Sequence, residues 1–143
     1  MSSNQERPQI PTDMKAFNSK VIEEFRANGG QLSGPMEGRQ LLLLTTTGAK
    51  SGQQRTVVIG YRPYGDDLAI IASDNGAPKA PKWFANLTKD PVATVELGNE
   101  KFTVRTRIAS GDERSKVARL IEYLGPQQER TQREIPIVIL ERH

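Results

Sequence analysis

The 143-residue chain has no cysteine, and its single histidine, His143, is the last residue. The missing cysteine removes disulfides, thiolate metal sites, iron–sulfur clusters and cysteine nucleophiles. The near-absence of histidine argues against a histidine metal site and a serine–histidine triad. No apolar run approaches the roughly 20 residues that a membrane-spanning helix needs. The opening MSSNQERPQIPT is polar and lacks the apolar core of a signal peptide. A cytoplasmic protein is therefore expected. Any chemistry is expected to come from a bound cofactor, with no metal ligand set in the chain.

What is present is ordinary for one soluble domain. Hydrophobic residues make up 36%, charged residues 26%, and the net charge is +3. That mild basicity is compatible with an anionic small ligand, an acidic lipid surface or RNA. Residues 1–11 read as a flexible lead and residues 12–143 as a single domain. Thr12 or Asp13 can cap a helix whose apolar stripe is Met14, Phe17, Val21, Ile22 and Phe25, and Gly29-Gly30 stops it. Strands are expected at 41–47, 55–61, 68–73, 92–97, 101–109 and 135–140. Gly98-Asn99 makes a hairpin turn between the fourth and fifth. Pro81 opens a short helix, PKWFANL. Ser110-Gly-Asp-Glu113 reads as a capping box opening a third helix that Gly125-Pro126 closes. About six strands joined by short turns, with three helices, predict a mainly β, mostly antiparallel barrel, closed or half-open, with helices outside.

Two stretches carry candidate chemistry. The first is TTTGAKSGQQR, residues 45–55. It fails as a P-loop, because the positions that need glycine hold Ala49 and Leu44. Gly48 and Gly52 can still form a backbone nest for an anion, with Thr47, Ser51, Lys50 and Arg55 as further donors. A hairpin turn with solvated charges fits the same spacing. The second is SDNGAPKAPKWFANL, residues 73–87, a loop entering a helix that holds the only tryptophan, Trp83. Trp83 fits a core position or a pocket wall. Tyr61, Tyr64 and Tyr123 are weaker candidates as proton donors, and Arg105 with Arg107 forms a basic stripe without the aromatics an RNA-binding sheet would need.

Taken together and in order, these stretches resemble the deazaflavin-dependent nitroreductase family of actinobacteria. The resemblance runs from about residue 40 to the end and includes VATVEL, KFTVRTR, SGDER and IPIVIL. It implies a split β-barrel that binds the 8-hydroxy-5-deazaflavin coenzyme F-420. It places the coenzyme's anionic tail at Ala49, Lys50, Ser51 and Arg55. It places the ring against Thr56, Val57, Val58, Ile59 and Gly60 and against Ile71, Ala72, Ser73 and Asp74. Lys82, Trp83, Phe84, Ala85 and Asn86 would cover it. The implied activity is hydride transfer from the reduced coenzyme to a quinone, a nitroaromatic or another electron-poor acceptor; the catalytic side chains stay unassigned, with Ser73 or a tyrosine as the candidate proton donor. Peripheral membrane contact and pairing of two copies are compatible with it, and nucleic acid is not an expected partner.

The chain departs from the family pattern in two places. Members carry tyrosines after the last helix, where this chain has GPQQERTQRE. They often carry lysine at Asp74 and an apolar residue at Lys82. FMN as the cofactor of the same fold, and coenzyme binding without turnover, are the alternatives.

Overall fold

The run Leu41–Leu44 does not alternate between apolar and polar, although it lies in a strand. The computed structural model describes residues 14–142, and within them all side chains except those of 14–18, 35 and 75. It shows both faces of that strand covered. Leu42 and Leu44 point into a buried cluster with Ile70, Val95, Val104 and Leu140. Leu43, with Leu41 beside it, lies under Val21, Ile22 and Phe25 of α1 (Met14–Ala27). A strand buried on both sides reads as a continuous apolar run. The C-terminal strand repeats the pattern. Val138 and Leu140 face the inner cluster, while Ile137 and Ile139 pack against Val117, Ile121 and Leu124.

The strands are β1 (Leu41–Thr47), β2 (Gln54–Gly60), β3 (Arg62–Tyr64), β4 (Asp67–Ile71), β5 (Val92–Leu97), β6 (Glu100–Ile108) and β7 (Ile137–Arg142). They form one sheet in the order β2-β1-β5-β6-β7-β4-β3, with every pairing antiparallel. The short β3 occupies residues expected to turn, so the strands number seven where six were expected. β2 and β3 stand at opposite edges of the sheet, yet only Tyr61 separates them in the chain. Consecutive Cα atoms are about 3.8 Å apart, so Gly60 and Arg62 lie within about 8 Å. The sheet must therefore curl until its two edges meet at this corner. It is a barrel closed by the chain at one point and split along the rest.

Helix α2 (Lys82–Lys89) lays Trp83 and Leu87 into the inner cluster. The third expected helix is shorter than its signals. α3 spans Gly111–Ala118, and a separate helix, α4, spans Leu124–Gln128. The capping box does not form, because Ser110 makes no side-chain cap bond. Glu113 turns instead to Arg107 and accepts the Tyr64 hydroxyl at 3.1 Å. Gly125-Pro126, expected to end a helix, sits in the first turn of α4. A proline is tolerated there because a first-turn N–H has no intrahelical partner. The stop at Gly29-Gly30 does form, with the Gly30 N–H closing onto the Phe25 carbonyl at 2.8 Å and both glycines at positive φ. The lead at residues 1–11 and the caps Thr12 and Asp13 lie outside the described residues, as do the side chains of Met14 and Phe17.

Candidate functional site

The turn after β1 closes most of its hydrogen bonds internally. Gly48 N–H donates to the Gln53 carbonyl at 2.7 Å and Gly52 N–H to the Gly48 carbonyl at 2.9 Å. Gln53 N–H donates to Ser51 Oγ at 3.1 Å. The glycine amides expected to form a nest are therefore occupied. The amides of Lys50 and Ser51 have no partner among the described residues.

Helix α2 holds this turn. Asn86 Oδ1 accepts from the Ala49 N–H at 3.0 Å, and its Nδ2 donates to Thr46 Oγ1 at 3.0 Å. Lys89 Nζ donates to the Ala49 carbonyl at 3.0 Å. The two stretches singled out in the sequence thus meet in space through Asn86. Lys50, Ser51 and Arg55 are exposed, and among the described residues no carboxylate pairs with Lys50 or Arg55. Arg55 reaches only Gln53 Oε1, at 3.3 Å.

From this turn β2 runs along a cleft of about 800 Å³. Four consecutive β2 residues, Val57, Val58, Ile59 and Gly60, line it. Among the described residues β2 pairs with β1 alone, so its other backbone edge has no described strand beside it. Ile71, Ser73, Asp74 and Trp83 line the cleft as well. Trp83 is only 8% exposed, so the choice between core residue and wall dissolves: it is both. Ser73 is buried, and its hydroxyl has no partner among the described residues. Asp74 adopts a left-handed conformation, φ 48°, the one non-glycine residue with positive φ among those described.

The other expected residues lie off the cleft. Thr56 Oγ1 meets Thr45 Oγ1 at 2.7 Å on the paired strand. Ala72 is wholly buried in the barrel. Lys82 and Ala85 are exposed on α2. Phe84 packs edge-on against Trp83, with ring centroids 6.4 Å apart, and borders a separate small apolar groove.

The cleft also has walls that no local pattern marked. Tyr123 and Gln127, one helical turn apart, both line it. Tyr123 Oη and Gln127 Oε1 are buried without a hydrogen-bond partner among the described residues. Such orphans are rare, because each forfeits its bond to water. Gly60 lies beside the tyrosine: a Cβ there would come within 3.4 Å of Tyr123 Oη. Arg62 stacks over the Tyr123 ring at 4.7 Å and grips Glu122 at 2.7 and 2.9 Å. Burial pushes the Tyr123 hydroxyl pKa up, while the Arg62 charge opposes the rise. Arg62 holds the Glu122 carboxyl below its ordinary range. Arg39 and Gln40 border the cleft beyond Gly60. Of the residues weighed for RNA, Arg107 is engaged by Glu113 and by Glu141, the latter at 2.9 Å.

Residues 18–142 match the family model of the F420H(2)-dependent quinone reductases. The chain belongs to that family. An F420H(2)-dependent quinone reductase of Mycobacterium tuberculosis (strain ATCC 25618 / H37Rv) is 33% identical over 127 residues, covering 82% of this chain and 85% of the relative. The solved structure of an F420-H2 dependent reductase, FDR-A, superposes with a TM-score of 0.66 at 33% identity, covering 72% of this chain and 95% of the other. A structure described as a domain-swapped dimer gives 0.67 at 28% identity, over 90% of this chain and all of the other. The reductase is thus an F420-dependent oxidoreductase with the split barrel expected from its sequence. Among its described residues no helix is long and apolar enough to cross a membrane.

Proposed function

We propose that the protein reduces a quinone-like acceptor in the cleft between the free edge of β2 and the Tyr123–Gln127 wall. The observation that carries this reading is the pair of buried polar atoms, Tyr123 Oη and Gln127 Oε1, unpartnered beside an unpaired strand edge. A site with unmet hydrogen-bonding capacity on both walls is suited to a flat polar ring system.

The residues present fit the coenzyme. Lys50, Arg55 and the free amides of Lys50 and Ser51 would hold its phosphate and carboxylates. The edge of β2 from Val57 to Gly60 would hydrogen-bond the ring, with Trp83 as its wall and Asn86 fixing the turn relative to α2. When bound in its reduced form, the coenzyme supplies a hydride. The protein's own task is to orient, to exclude water and to place polar groups at the acceptor. The Tyr123 hydroxyl, like any tyrosine, is protonated in the neutral range, and burial raises its pKa further, so it can donate a hydrogen bond to an acceptor oxygen. The Ser73 hydroxyl is a second donor within the cleft. Nitroaromatic acceptors fit the same chemistry. Pairing of two copies extends the reading by analogy with the dimeric relative.

The test is a fluorescence titration with oxidised F420 and, in parallel, FMN, followed by anaerobic oxidation of the reduced coenzyme by menadione. Saturable F420 binding with little FMN binding, and quinone-dependent oxidation, are the expected results. Binding without turnover of any quinone would reduce the protein to a coenzyme carrier.

A further inference from the structure

We propose that Arg133 is a positioning residue: its guanidinium staples together the two chain segments that wall the cleft and so fixes the cleft's width. The proposal rests on the reading of the cleft given above. One segment, residues 72–79, carries Ser73 and Asp74. The other, residues 123–133, carries Tyr123 and Gln127. Arg133 Nε donates to the Ala77 carbonyl at 2.9 Å and Nη1 to the Ala72 carbonyl at 3.2 Å. Nη2 donates to the carbonyls of Ser73 at 2.8 Å and Lys79 at 3.3 Å. These four are the side-chain hydrogen bonds joining the two segments among the described residues, and no carboxylate pairs with Arg133. Only a planar guanidinium offers enough donors in a fixed fork to meet four carbonyls at once, and a lysine ammonium does not.

Arg133 is itself held. Gln128 Nε2 donates to the Arg133 carbonyl at 2.6 Å, and Gln128 Oε1 accepts from the Ile135 N–H at 2.9 Å. The clamped loop has reason to need holding, since Asp74 sits at φ 48° and Gly76 at φ 79°. A left-handed non-glycine residue persists only where its surroundings over-determine it. The walls also meet with no slack. A Cβ at Gly76 would lie 2.5 Å from Arg130 Cβ and 2.8 Å from the Gln127 carbonyl. Any loosening of the 72–79 loop therefore moves Asp74 relative to Gln127, and the space for the acceptor changes.

The experiment has two arms. Hydrogen exchange on the coenzyme-free protein compares wild type with R133K and R133Q. The expected result is joint loss of protection at Gly76 and Ala77 in one wall and at Glu129 and Arg130 in the other, with the β1 amides unchanged. Loss in one wall alone, or equal loss throughout the sheet, overturns the staple. In steady-state kinetics with menadione, KM is expected to rise roughly tenfold in R133K, while the F420 dissociation constant changes less than about threefold. Gly76→Ala, which pries the walls apart with Arg133 intact, is expected to shift KM in the same direction. A fall in melting temperature with both constants unchanged overturns the positioning role. If wild type binds no F420, the functional reading fails on its own, and the exchange arm alone decides the staple.

Discussion

At residues 48–53 hydrogen bonds are largely closed and charge is left free; at residues 123–127 the reverse holds. The turn satisfies Gly48, Gly52 and Gln53 within itself and leaves Lys50 and Arg55 exposed, without a carboxylate among the described residues. The wall pairs its charges, Arg62 with Glu122, and leaves the Tyr123 hydroxyl and the Gln127 amide oxygen unbonded in a buried place. A mobile anionic tail is held well by exposed cations, whose attraction reaches through water and is screened by salt. A flat ring is held better by short-range polar groups that are already desolvated. The coenzyme's tail and the acceptor would therefore be held by two different forces, and each can be removed separately.

The largest expected effect comes at the cleft wall that is also barrel core. Trp83→Ala removes a buried wall that is also barrel core and is expected to cost about 3–5 kcal/mol of stability. Chemical denaturation should show it, and F420 binding should be lost with it. Full stability with lost binding would mean that Trp83 does not belong to the core. Lys50→Ala and Arg55→Ala isolate the charged end. Each is expected to weaken F420 binding by about 1–3 kcal/mol, with the melting temperature unchanged. Titrations at rising salt should erase most of the difference between these variants and wild type. Affinity that ignores both substitutions would leave this turn a turn.

Tyr123→Phe isolates the other end. Removing an orphaned buried hydroxyl leaves the fold within about 1 kcal/mol of wild type, or slightly more stable, because no bond is lost. The quinone KM should rise, with no added salt dependence. A variant that loses stability instead would show that Tyr123 Oη has a partner in solution.

The same contrast explains what the sequence could reveal. Lys50, Ser51 and Arg55 were legible because a turn's chemistry is local: glycines, hydroxyls and cations within a few positions. The doubly covered strands were legible too, since a run such as LLLL or IVIL needs only its neighbours to be read. The roles of Tyr123 and Gln127 rest on what they lack, and no spacing records a missing partner. Arg133 takes its role from carbonyls 54 to 61 positions away. The capping box expected at the start of α3 failed for a related reason. Ser110 and Glu113 have the spacing of a cap, but Arg107 on β6 competes for the glutamate and wins it with a charge-assisted pair. Local grammar holds until a charge on a neighbouring element competes for one of its groups.

The smallest expected effect tests whether the paired charges of the wall serve the tyrosine. Arg62 lowers the Glu122 carboxyl from its ordinary value of 4.5. A depressed carboxyl contributes stability above its unfolded pKa, and that contribution is lost as pH falls through the folded value. The Arg62–Glu122 pair therefore helps throughout the neutral range and disappears only in acid. Glu122 is exposed, so the pair itself adds little to stability. Its effect should appear instead in the ring it steadies, because Arg62 lies over Tyr123 and loses its anchor when Glu122 is neutral. Glu122→Gln is expected to raise the quinone KM slightly at pH 7. Wild type is expected to show an acid-side rise in KM as Glu122 protonates, and Glu122→Gln should remove it. An acid limb that survives unchanged in Glu122→Gln would assign that titration to another group and leave Arg62 holding Tyr123 through the ring contact alone.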